Sequence, residues 1–280
     1  LQPVDSTTLA NKYGSFATAT TGENQTIKLE NQYFIVDFNT KGGKISNVEL
    51  KDYKKVLVDD KKKEYKVPLH LLEDPNNVWD IAIPSQTGEI HTADLNFQPT
   101  VEGNKITLRA IGLQGEQIIQ EYTLTDKPYE VKYNLSVQNA AGFLSSTAQD
   151  AKLTWVNQLD KIEKNSVFEK TMSTVYYKEN TESVDYCNCR SDAQEDLSAQ
   201  PIKWFSHSNQ FFNSTLIANE SFSGGVFETK SPAETDENLK KTSAVVGIPL
   251  KRDGTSSQMT MYIGPNDFEN LRHYHVALED

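Results

Sequence analysis

The stretch Tyr33–Tyr53, YFIVDFNTKGGKISNVELKDY, alternates on both sides of a short punctuation, Lys41-Gly42-Gly43-Lys44. Phe34, Val36 and Phe38 fall on every second residue before it, and Ser46, Val48 and Leu50 after it, which is the period of a strand. Two glycines between such runs can take the positive φ of a tight reversal, so the stretch reads as a β-hairpin. The same alternation recurs along nearly the whole chain.

Outward from the hairpin, TIKLE, LHLLE, WDIAI, DLNFQPTV, NKITLRAI and QIIQEYTLT follow one another with Gly, Asn, Asp or Pro between them. YEVKYNLSVQN, AKLTWVNQL, STVYYKE, IKWFSHSN, QFFNSTLIAN, GGVFETK, TSAVVGIPL and SQMTMYIG continue the series. Roughly sixteen strands at this spacing, without intervening helices, predict antiparallel meanders in a large all-β sandwich. No Pro- or Ser-rich linker divides them, so residues 26–280 read as a single domain. Leu1–Gln25 is rich in Ser, Thr, Ala and Gly without a sustained period, and reads as a flexible arm with a short helix near Thr8–Tyr13. Asp160–Glu169 reads as a charged helical turn, and CNCRSDAQEDLSAQP (187–201) as a mobile surface loop. The end differs in kind. After Gly264-Pro265, Asn266 stands where a helix cap belongs, Asp267 and Glu269 occupy the first turn, and Phe268, Leu271 and either Tyr274 or His275 share a face.

The net charge of −11 and the pI near 5.0 argue against nucleic acid as a partner, because phosphate binding needs clustered Lys and Arg. The one basic run, Lys61-Lys62-Lys63 after Asp59-Asp60, reads as a solvated hairpin tip. No stretch approaches the ~18 apolar residues that cross a bilayer. The chain has no starting Met and no signal peptide, and reads as a piece of something longer. A disulfide between Cys187 and Cys189 would close a small strained ring, and their surroundings offer no two further zinc ligands, so they read as plain loop cysteines.

Catalytic signatures are absent: no Gly-rich phosphate loop, no GxSxG elbow and no HExxH, so neither a cofactor nor a metal is expected. His70, His91, His207, His273 and His275 are scattered, and no spacing selects a pair of carboxylates for glycoside chemistry. Trp204-Phe205 and Phe211-Phe212, around SHSNQ, are the densest aromatic cluster. Such residues fill a core or stack on a sugar ring, and since neighbours in a strand face opposite ways, at most half can line one groove.

FNTKGGKISNVELKDY resembles the opening hairpin of the large periplasmic domain of the bacterial membrane protein insertase family YidC. YEVKYNLSVQN is similar to that family's strand ending in Val-x-Asn. KWFSHSNQFFNSTLIA resembles its Trp-containing strand and Gln-aromatic-Phe turn, with Trp204, Gln210, Phe211 and Phe212 at the matching places, and MTMYIGPNDFENLRHY resembles its Gly264-Pro265 segment and terminal helix. The order holds from Thr26 to Asp280, in the style of the Bacteroidota branch.

The resemblance implies a β-supersandwich of the galactose mutarotase type with a short C-terminal helix, facing the periplasm from the inner membrane and joined to transmembrane helices outside this sequence. It implies a non-catalytic docking or scaffold role in membrane protein insertion, with substrate membrane proteins and the Sec translocon accessory subunits SecD and SecF as partners. Gly42, Gly43, Trp204, Gln210, Phe211, Phe212, Gly264 and Pro265 would be structural, while Phe268, Leu271 and Tyr274 would couple the domain to its membrane part. The alternative is a carbohydrate-binding or aldose-epimerase-like domain. That chemistry needs an acid and a base about a sugar ring; His207 is the one histidine beside an aromatic cluster, and the sequence identifies no carboxylate partner.

Overall fold

The computed structural model describes residues 6–58, 62–162, 166–188, 190–233 and 238–279. Among these, nineteen strands form three antiparallel sheets. The first is a four-stranded meander, Thr26–Glu30, Phe34–Asn39, Lys44–Val58 and Glu64–Leu71. The second has nine strands in the spatial order Val184–Tyr186, Thr174–Glu179, Ile202–Ser208, Phe212–Phe222, Ser257–Pro265, Glu130–Gln138, Gln117–Leu124, Lys105–Ile111 and Gln98–Glu102. The third has six: Ala193–Leu197, Gly225–Lys230, Asn238–Pro249, Asp150–Asp160, Val78–Ser85 and Gly88–His91.

One face of the nine-stranded sheet carries the core, and the other two sheets cover it. Tyr122 and Tyr133, opposite one another in register, stack at 4.7 Å on that face. Tyr122 meets Phe38 of the meander and Tyr133 meets Trp79 of the six-stranded sheet. Farther along, Phe205 and His207 meet Trp155, and Tyr177 stacks on Phe227. The strict alternation in Phe34–Asn39, with Phe34, Val36 and Phe38 fully buried, is the sequence pattern made structural.

The Gly42-Gly43 turn ties the meander to this face. Both glycines have positive φ, +83° and +63°. Gln120 Nε2 donates to the Gly42 carbonyl (2.8 Å) and the Tyr122 hydroxyl to that of Gly43 (2.9 Å), while Gln120 Oε1 accepts from the Tyr133 hydroxyl (2.9 Å). The turn is therefore buried, and its carbonyls are satisfied by side chains of a different sheet.

Two sequence expectations change. Among the described residues before Gln25, the expected short helix is Ser6–Tyr13 and a 3-10 helix, Gly14–Thr20, follows it; Phe16 is fully buried against Phe143 at 5.0 Å, so the part expected as a flexible arm packs on the sandwich. A single large aromatic at the right place anchors a stretch whose composition is otherwise that of a linker. The 187–201 stretch contains the edge strand Ala193–Leu197, paired with Gly225–Lys230, and buries Cys187; its polar run Gln194-Glu195-Asp196 masks the alternation. Cys189 and the 59–61 tip lie outside the described residues. The charged turn expected at Asp160–Glu169 is the helix Ser166–Met172.

Candidate functional site

In the strand Ile202–Ser208, Phe205 and His207 point into the core, so Trp204, Ser206 and Ser208 point to the opposite, outer face. There they floor a groove of about 230 Å3, walled by Asn209, Gln210 and Asn213, by Met172, and by Asn266, Phe268, Leu271 and Leu278 of the C-terminal segment.

Hydrogen bonds lock that segment to the sheet. Trp204 Nε1 donates to the Val276 carbonyl at 2.8 Å. Asn266 N donates to the Phe211 carbonyl (2.7 Å), and Asn266 Nδ2 to the Asn209 carbonyl (2.9 Å). Asn209 Oδ1 in turn accepts from the backbone N–H groups of Phe211 and Phe212, which builds the turn between the two strands. Gly264 lies opposite Asn213, and a Cβ there would come within 2.6 Å of the Tyr129 ring. The Pro265 carbonyl accepts from the Tyr262 hydroxyl at 2.6 Å.

The terminal helix, Phe268–Leu271, continues as a 3-10 turn, Arg272–Tyr274. Its cap is Asp267, whose carboxylate accepts from Asn270 N at 3.0 Å, and not Asn266, which is committed to the 209–213 turn. Leu271 is buried, whereas Phe268 is 58% exposed, so the expected common face splits. The helix is one turn long, and the tighter winding after it swings Tyr274 onto Tyr262, ring centroids 6.0 Å apart. Burial first, and the Glu130 carboxylate second, push the Tyr274 hydroxyl above its ordinary value.

The structure thus gathers Trp204, Gln210, Phe268 and Leu271 in one groove, with Phe211, Phe212, Gly264 and Pro265 as its supports. Gly42 and Gly43 stand apart, bound to Gln120 and Tyr122. Met172 escaped the sequence reading, because the helical turn expected there ends at Glu169, short of it.

The sugar-chemistry candidate fails on geometry. His207 is 1% exposed, its Nδ1 is 2.8 Å from Thr242 Oγ1, and its Nε2 has no hydrogen-bond partner among the described residues. Burial lowers it to about 3, so it is neutral at physiological pH. The cavity it lines holds about 20 Å3, room for one water and not for a sugar ring. The remaining histidines are pinned elsewhere or terminal: His70 by Asn47 (2.9 Å), His91 by Asp80 (2.6 Å). Among the described residues no group of three or more His, Cys, Asp and Glu could hold a metal ion, and no helix is long and apolar enough to cross a membrane.

Comparison with known proteins gives a family model, described as the YidC periplasmic domain, that matches residues 26–280. Curated relatives named membrane protein insertase YidC include one from Porphyromonas gingivalis, 26% identical over 274 residues, covering 96% of this chain and 42% of the relative. Another, from Phocaeicola vulgatus, is 28% identical over 258 residues, covering 91% and 40%. The chain therefore spans about two fifths of the relatives it matches. Among solved structures, a galactose mutarotase-like protein from Lactobacillus casei superposes with a TM-score of 0.50 at 12% identity, covering 86% of this chain and all of that one, a likeness of fold.

Proposed function

Because the chain belongs to the YidC periplasmic-domain family, we propose that it serves an inner-membrane insertase as a non-catalytic docking module on the periplasmic side. Residues 26–280 act as one unit, with the N-terminal helices packed onto it. The observation that carries this reading is the bonding of the C-terminal segment to the outer face of the nine-stranded sheet through Trp204, Asn209 and Asn266. A polypeptide continuing past the groove is thereby held in a fixed orientation to the whole sandwich, which is what a rigid spacer between membrane and partner requires.

Phe268, Leu271 and Tyr274 are the coupling residues of this proposal, and Gly42, Gly43, Trp204, Gln210, Phe211, Phe212, Gly264 and Pro265 its structural supports. Substrate membrane proteins and the SecD and SecF subunits are the proposed partners. The carbohydrate reading has support from fold likeness alone, and fold is poor evidence of function. The test is insertion by the full-length protein carrying Leu271→Asp or Trp204→Phe, with folding followed in parallel. Loss of insertion by a folded variant supports coupling; both variants folded and fully active would refute it. Calorimetry with a sugar panel and polarimetry of anomer exchange address the alternative, and heat or rotation above background would favour it.

A further inference from the structure

Two of the exposed large hydrophobics among the described residues, Met172 and Phe268, line this groove, and Phe168 lies one helical turn from Met172. Phe168 (62% exposed), Val167 and Met172 belong to the helix Ser166–Met172, and Phe268 (58%) to the terminal helix. Met172 and Phe268 line the same groove, so the two helices flank it. Tyr186, half exposed, packs at 5.6 Å on Tyr176, a third lining residue.

These side chains protrude beside the concavity, which suits insertion into something soft better than acceptance of a ligand. The charges around them lean acidic, since Asp185 and Asp267, both exposed, stand next to Tyr186 and Phe268. Glu169 is buried, both its oxygens 3.2 Å from Ile162 N, leaving Lys170 as the outward charge of its helix; Arg272 is paired with Glu269 at 2.8 Å, and Glu279 lies at the groove. The molecule as a whole carries −11. An apolar cluster on an acidic body fits a zwitterionic lipid surface, which does not repel that charge as an anionic one would. Place agrees with chemistry: the relatives are more than twice as long, and Leu278 and Glu279 line the groove, so chain that continues past this domain in them departs beside these side chains.

We propose that Phe168, Met172 and Phe268 form a membrane-docking patch that enters the headgroup region of the bilayer. It rests on the coupling reading above and names the surface that the coupled domain meets. Phe and Met at that depth bury side-chain area otherwise left in water, while the groove between them stays at the interface.

The test uses this chain with Cys189→Ser and a C-terminal oligohistidine tag, on phosphatidylcholine vesicles containing nickel-chelating lipid. An NBD fluorophore is placed on Phe168→Cys, Met172→Cys, Phe268→Cys or, as reference, Leu113→Cys, an exposed site in another part of the fold. The expected result is blue-shifted emission and loss of fluorescence with headgroup-proximal doxyl lipid at 168, 172 and 268, and neither at 113. The tether alone cannot produce this pattern if Phe168→Glu with Phe268→Glu, both at exposed positions, abolishes quenching at 172. Vesicles rich in phosphatidylglycerol should quench less, given the net charge. Equal quenching at 113, no quenching at the patch, or quenching at 172 unchanged in the double variant would each overturn the proposal. Labels insensitive to doxyl lipid yet shielded from iodide by native membranes would assign the patch to a protein partner and also overturn it. Neither outcome bears on insertion by Leu271→Asp, so the coupling reading stands or falls separately.

Discussion

Replacing Gly43 by alanine tests how the first sheet is held. A Cβ at this position lies 2.5 Å from Gln120 Nε2 and 3.1 Å from the Phe97 ring, on a residue with φ of +63°. The left-handed backbone alone costs a non-glycine residue roughly 1–2 kcal/mol. Gln120 has no room to stay, and its retreat breaks the bond to the Gly42 carbonyl inside the core, adding roughly 1–3 kcal/mol. The total is about 2–5 kcal/mol. Gly42→Ala shares the positive φ, but its nearest new neighbour is 3.7 Å away, so it should lose only the backbone part, about 1–2 kcal/mol. Urea denaturation of the two variants, compared at a common m-value, gives the difference. Hydrogen exchange should show faster opening of Phe34–Asn39 in Gly43→Ala. Equal losses in the two variants would refute the claim that Gly43 is chosen for contact with Gln120 and not merely for its backbone.

Three further outcomes follow from named groups. Because burial lowers His207 from 6.5 to about 3, the unfolded chain binds a proton in that window that the folded chain does not; stability therefore falls as pH falls through it and is fully present above it. Wild type should lose up to about 1.4 kcal/mol per pH unit there relative to His207→Gln, and identical pH profiles would contradict this. Trp204→Phe removes the donor to the Val276 carbonyl, and amide exchange across Phe268–Tyr274 should quicken by an amount worth about 1 kcal/mol, with unchanged exchange as the contrary result. Burial pushes the Cys187 thiol up to about 12, so in a Cys189→Ser background it should resist Ellman's reagent until denaturant is added; prompt labelling of the native chain would place it wrongly.

The hairpin was legible because its information is local: alternating Phe34, Val36 and Phe38, then two glycines, state both strands and the turn within a few residues. What the turn binds was not legible, since Gln120 and Tyr122 are far off in sequence and their place in a strand does not point to the turn. In the aromatic cluster, strand alternation correctly required Trp204 and Phe205 to part, but not which of them would face the groove. The terminal helix was visible from Gly264-Pro265 and its acidic first turn, while the exposure of Phe268 was hidden because the helix lasts a single turn before tightening. Phe16 shows the opposite failure, where one buried ring orders a segment whose composition reads as an arm. The patch on Ser166–Met172 depends on Glu169 turning inward, which only the fold decides.

The central proposal is that this sandwich meets its surroundings through the C-terminal groove. Site-specific photo-crosslinking in native membranes, with the reactive residue at Phe268 or at the exposed reference Leu113 of the full-length protein, tests it most directly. Adducts to lipid, to the protein's own membrane part or to a translocon subunit from 268, and none from 113, are the predicted result. Adducts from 113 with none from 268 would contradict it.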